Sequence, residues 1–266
     1  MYNAHQYFVA YPIDRDASAT GTGRRAVTND VRYGTGRLGA TPGRLKGGSR
    51  FMERMEIGGY APATRVFFET ARAALEKMDP QDVCNRTGAA YDAATARYVV
   101  TYLGSEARAG ARDCAMEWDR PIHSTFHITL LHYLMQADGS LPKGEWISLH
   151  DAAPVGSTRI ESMLKSSIPP LIDAFAGDMD GFFAAAAKIG GEKVAKDTVR
   201  LSILPHIPTQ ITVWPADDEF PADARVIFDR TLRGQLFGED LPYIADVAVQ
   251  ALVYASGRPY RFLSNM

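Results

Sequence analysis

Three consecutive carboxylates with an imidazole upstream make the densest chemistry in this sequence. In LPHIPTQITVWPADDEFPADARVIFD, residues 204–229, Asp217, Asp218 and Glu219 follow an apolar run ending in Trp214, and His206 precedes it. Clustered carboxylates plus an imidazole form a donor set for a hard or borderline cation. Acids crowded this closely also repel one another, which raises one pKa toward acid–base use. His206, as an axial ligand, and Trp214 are the candidates for holding a cofactor, and Asp217, Asp218 and Glu219 those for a metal. The same residues fit the start of a helix over 221–236. Pro221 suits a first turn, where its missing N–H has no partner to lose. The acids meet the positive end of the helix dipole, Asp218 is positioned to cap, and Phe220 to staple. No residue is assigned a catalytic role.

PIHSTFHITLLHYL holds a second candidate. His123 and His127 are four apart and share one face if a helix begins by Pro121. That spacing is the one paired histidines use in zinc peptidases, but Ser124 stands where the general-base glutamate is needed. His132 falls on another face, so the pair reads as capping and packing at a helix start. Other nucleotide and hydrolase signatures are missing. GTG occurs twice and RLKGG once, without the GK[ST] of a phosphate loop or a strand ahead of GxGxxG. No GxSxG elbow occurs.

Cys84 and Cys114 are the only two cysteines and form no CxxC. They exclude a thiolate-bound iron–sulfur cluster or structural zinc within one chain, and a lone pair suits a reducing cytoplasm. The start MYNAHQYFVAYPIDRD has no long apolar stretch behind a basic segment, and no run of about eighteen apolar residues follows. The expectation is a cytoplasmic protein without a membrane span.

The elements that must position these residues are set by patterning. Between Arg15 and Arg50, seven arginines and Lys46 face only Asp16 and Asp30, a local balance of +6. The whole chain carries −2, so the body beyond is acidic. Residues 1–60, rich in Gly and Arg, are too poor in apolar groups to offset the entropy of ordering and read as an extended arm. With Tyr33 the one aromatic inside the basic run, the arm argues against nucleic acid and for a protein partner bound through residues 1–55.

Residues 61–266 read as a single α+β domain. ATRVFFETARAALEKM is helical and is closed by Asp79-Pro80. RYVVTYLG and CAMEWD are strands, and Ser124 to Gln136 is an apolar helix. Arg159–Phe175 and Met179–Ile189 are helical, the first kinked or split at Pro169-Pro170. DTVRLSIL and TQITVWP pair as a hairpin around Pro205-His206-Ile207-Pro208, which would bring His206 near the acids. Helices over 221–236 and 239–255 close the chain. Strands and helices do not alternate as βαβ units, so the sheet is antiparallel, packed by several helices.

From about Ala74 to Tyr254 the chain resembles a prokaryotic family known as domain of unknown function 3786. The residues that carry the likeness are MDPQDVCNRTGAAYD, ITLLHYLMQADG, GEWISLHD, the Gly190-Gly191 pair and the 204–229 segment. The resemblance implies no established activity. It implies surroundings of anaerobic corrinoid and methyl-transfer chemistry, and hence a corrinoid or other tetrapyrrole as the ligand. In some relatives a cysteine-rich iron–sulfur module precedes the domain; here the cysteine-free residues 1–60 take its place. The function expected is that of an accessory or structural subunit whose basic arm binds a partner protein within a larger complex. The alternative is a cofactor- or metal-binding protein, or an enzyme, with its site at 204–221.

Overall fold

Local signals start and stop the helices. The computed structural model describes residues 62–120, 122–152, 158–236, 238 and 240–258, all within the second of the chain's two units, Leu45–Met266. The arm, residues 1–60, and its expected partner contacts through 1–55 lie outside the described residues. Helix α1 (Pro62–Leu75) is followed by α2 (Pro80–Thr87). Asp79 caps α2 by accepting from the Gln81 N–H, Pro80 occupies its first turn, and Gly88 ends it in the left-handed region at φ 68°. Helix α3 (Ser124–Gln136) is capped by His123, and α6 (Met179–Lys188) by Asp178.

The strands form two antiparallel sheets. The first has the order β1 (Ala90–Asp92), β2 (Arg97–Tyr102), β3 (Ser105–Gly110), β4 (Met116–Trp118). The second has five strands in the order β5-β9-β8-β7-β6. These are β5 (Trp146–Ser148), β6 (Glu192–Ala195), β7 (Thr198–Leu204), β8 (Ile207–Trp214) and β9 (Asp223–Asp229). The two sheets touch where Leu103 N–H donates to Ile203 O at 2.9 Å. Beside that bond Gly104, at φ 77°, packs against the backbone of Ile189 and Gly190; a Cβ there would lie 2.5 Å from the Ile189 carbonyl. Only glycine fits this contact.

The α+β class and the antiparallel sheet expected from the sequence are present, with eight helices among the described residues. The remaining helices are α4 (Leu149–Ala152), α5 (Thr158–Phe175), α7 (Leu232–Gln235) and α8 (Leu241–Ala255). Helix α8 is buried on nearly every side, from Ile244 to Val253, and forms the axis of the core. Helix α5 packs on α8, β8 and β9, while α6 packs on β6 and β7. These helices cover one face of the five-stranded sheet.

One expectation is narrowed and one corrected. Helix α5 runs through Pro169 and Pro170 as one element, so of the expected kink or split the split does not occur. Leu171 and Phe175 beyond the prolines are buried against the core, and this packing outweighs the backbone hydrogen bonds that proline removes. The segment 221–236 is not a helix: it is β9 followed by the single turn of α7. Ala224, Val226 and Phe228 point inward while Asp223 and Arg225 point out, a period of two that overrides the helix-start signals before it.

Candidate functional site

The 204–221 segment is spread along a strand and not gathered at one place. Strands β7 and β8 pair with Leu204 opposite Ile207, leaving Pro205-His206 as the turn. At that turn the His206 N–H donates to Tyr133 Oη at 3.3 Å, and the Tyr133 hydroxyl donates to Thr87 O at 2.8 Å. The imidazole sits edge-on to Tyr133 and packs against Gly88, at the C-terminal end of α2. Burial pushes the Tyr133 phenol well above its ordinary value, so it remains a hydroxyl donor.

The acids lie past the other end of β8. Eight residues at about 3.3 Å each separate them from His206, roughly 26 Å along the strand. Asp217 caps the β8–β9 loop: its Oδ1 accepts from the N–H groups of Glu219 at 2.9 Å and Phe220 at 2.7 Å. Its own N–H donates to Phe220 O at 3.0 Å. Those two backbone donors hold its carboxyl below the usual range. Asp218 and Glu219 are exposed at the tip. The helix start expected here, with Asp218 as its cap, is therefore an Asx-type hairpin loop capped by Asp217. Trp214 stands at the acidic end, so His206 and Trp214 do not share a site. Among the described residues no group of three or more His, Cys, Asp or Glu side chains is arranged to hold a metal.

The histidines of α3 occupy three different settings. His123 precedes the helix, and its Nδ1 accepts from the Thr125 N–H at 3.2 Å. Burial lowers its pKa. His127 is fully buried, and its Nε2 donates to Cys114 O at 2.6 Å. Burial pushes its pKa down to about 4, so it is neutral at physiological pH. The Cys114 thiol is itself pushed up to about 12 by burial, which rules out a reactive thiolate there. His132 pairs with Asp240, Nδ1 to Oδ1 at 2.5 Å, across 108 residues of sequence. Nothing in the sequence pattern marks Asp240 as its partner.

A concavity lies on the face of the five-stranded sheet that the helices leave open. Its burial alternates along β8, with Pro208, Gln210, Thr212 and Trp214 on that face. A groove of about 280 Å³ is lined there by Pro142, Trp146, Arg200, Ser202, Pro205 and Pro208. Arg200 Nε donates to Glu192 Oε1 at 2.7 Å across β7 and β6. Asp229 lies at its edge, almost wholly buried. Its Oδ2 accepts from the N–H groups of Lys143 at 3.0 Å and Gly144 at 2.6 Å, and its Oδ1 from the N–H and hydroxyl of Thr231. Burial works to raise its pKa, and these hydrogen bonds outweigh it, leaving the value lowered. Asp229 is a latch for the loop entering β5. The sequence reading missed both the latch and the groove, because each depends on strands that read as helix or as nothing.

Large apolar side chains are also exposed around this sheet. Leu141, in the loop before β5, and Phe220, in the β8–β9 loop, are each 67% exposed. Val194 on β6 and Trp214 on β8 are exposed as well.

A family model described as "Domain of unknown function (DUF3786)" matches residues 79–251. The match spans both sheets and every helix from α2 through most of α8, and the chain belongs to this family. No curated protein and no solved structure matches it.

Proposed function

We propose that this chain is a non-catalytic subunit that docks a protein partner on the open face of its five-stranded sheet, with the basic residues 1–55 as a second hold on that partner. One observation carries the reading. Four of the five large hydrophobic side chains exposed among the described residues, Leu141, Val194, Trp214 and Phe220, belong to this sheet and its loops. Leu141 adjoins the groove, Trp214 and Phe220 lie toward the far end of β8, and exposed apolar groups spread along one sheet and rimmed by charges are the pattern of an interaction surface. Trp146, Trp214 and Phe220 are of the types that anchor interfaces, and Glu192, Arg200 and Arg225 supply a polar rim. The arm adds reach: a Gly/Arg-rich segment of about 50 residues covers a large surface, at the expense of its ordering entropy. The rival reading, a cofactor or metal held within 204–221, is the weaker one because β8 separates His206 from the acids.

Tagged wild-type protein is purified natively from its source, with co-purifying proteins quantified by mass spectrometry. Trp214→Arg/Phe220→Arg and Arg24→Glu/Arg25→Glu/Arg37→Glu are purified in parallel. The same partner is expected in stoichiometric amount with wild type and depleted by both variants. A partner that survives both, or none at all, overturns the proposal. A visible absorption band or stoichiometric metal tracking with the 204–221 residues would restore the rival.

A further inference from the structure

We infer that the junction of α3, α7 and α8 binds a hard cation through side-chain oxygens, independently of the docking face. Helix α3 carries His132 and, one turn further along the same face, Gln136. His132 Nδ1 donates to Oδ1 of Asp240, the residue that leads into α8. Helix α7 is tied twice to the segment leaving α3. The Asp138 N–H donates to Gly234 O at 2.8 Å, and Gln235 Nε2 donates to Ser140 O at 2.9 Å. These contacts bring together the chain segments that carry Gln136, Gln235 and Asp240, and the proposed site is where their side chains meet. Gln235 is 0% exposed and Asp240 8%.

Three oxygens on these segments, Gln136 Oε1, Gln235 Oε1 and Asp240 Oδ2, are buried and accept no hydrogen bond. Burying one such acceptor without a partner is costly, and a carboxylate oxygen more so. A water molecule has two hydrogens and meets at most two of the three. A cation takes all three at once and offsets the carboxylate charge. Amide and carboxylate oxygens are the ligands of Na⁺, K⁺, Mg²⁺ and Ca²⁺, not of the softer ions that seek sulfur. His132 holds the other oxygen of Asp240 and so orients the carboxylate, as outer-shell partners of ligands do. Gln136 Nε2 is also buried without a partner. Turning that amide exchanges its nitrogen and oxygen, and a bound cation selects the orientation with oxygen inward.

The test uses the full chain, treated with chelator and exchanged into choline chloride. Thermal melts follow at constant ionic strength with NaCl, KCl, MgCl₂ or CaCl₂. One cation is expected to raise the melting temperature saturably, as a ligand of the native state does. Gln235→Met and Asp240→Asn should weaken that cation's apparent affinity at least tenfold, while Asp218→Asn in the exposed loop leaves it unchanged. Four salts indistinguishable from choline, or a rise that survives Gln235→Met, overturn the inference. A readout on wild type stands even if the variants fail to fold. Crystals soaked in Rb⁺ or Mn²⁺, for a monovalent or divalent site, should show anomalous density within coordination distance of Asp240 Oδ2; water alone there overturns it.

Discussion

Burial raises the pKa of Asp246, and replacing it by Asn should change how stability depends on pH. It lies on α8 facing α5 and is 2% exposed. Its Oδ1 accepts from the Ser167 hydroxyl at 3.2 Å and from Gln250 Nε2 at 3.4 Å. Burial pushes its pKa from the ordinary 3.8 up to about 6, and these two neutral donors only partly offset the shift. A shift of about two units corresponds to roughly 3 kcal/mol of discrimination against the ionised form. Below about pH 4 both folded and unfolded chains hold the proton, and Asp246 contributes no pH dependence. Between about pH 4 and 6 the folded chain keeps a proton that the unfolded chain has released, so stability falls as pH rises. Above about pH 6 the loss levels off near 3 kcal/mol. Asp246→Asn keeps an oxygen for Ser167 and cannot ionise. Its buried amide hydrogens add a cost that does not vary with pH. Urea unfolding of both proteins at half-unit steps from pH 4 to pH 8 isolates the carboxylate. The variant should gain on wild type by up to about 3 kcal/mol across that range, most of it before pH 6. A difference between the two that is flat with pH would falsify the assignment of a buried, proton-holding Asp246.

The β8–β9 loop gives a sharper test of which acid matters. Asp217→Ala should lower the melting temperature more than Asp218→Ala or Glu219→Ala, while Asp217→Asn is largely tolerated because its oxygen still accepts from the backbone; equal effects at all three positions would contradict the loop cap. The histidines of α3 should prove structural and unequal. His127→Ala removes a buried side chain and strands the Cys114 carbonyl, for about 2–4 kcal/mol in chemical denaturation. His123→Ala removes a cap, for about 1 kcal/mol. Zinc that purifies with wild type and vanishes from the double variant would reverse that assignment.

Where the sequence was readable, one element carried its own pattern; where it was not, the signal belonged to a pair. Helix α3 and strands β7 and β8 could be read because their apolar spacing is set by the face each buries, whatever they pack against. Strand β3 escaped notice because its inward residues are Ala107 and Ala109, too small to stand out as an apolar stripe. Strand β9 was mistaken for helix because Pro221 and three acids serve a hairpin loop as well as they serve a helix start. In the loop Asp217 satisfies two backbone N–H groups, the same service a helix cap performs. Only the alternation of Ala224, Val226 and Phe228 separates the two outcomes, and it is decided by pairing with β8. That one misreading carried the candidate site with it. The hairpin through Pro205-His206 was expected and is present, but a hairpin brings together the strand ends next to its turn. The acids follow the far end of β8, so the pairing that makes the fold also keeps His206 away from them. The polar groups of the proposed cation site, Gln136, Gln235 and Asp240, were invisible for the complementary reason. Each is unremarkable in its own segment, and those segments meet only when α7 closes onto the end of α3.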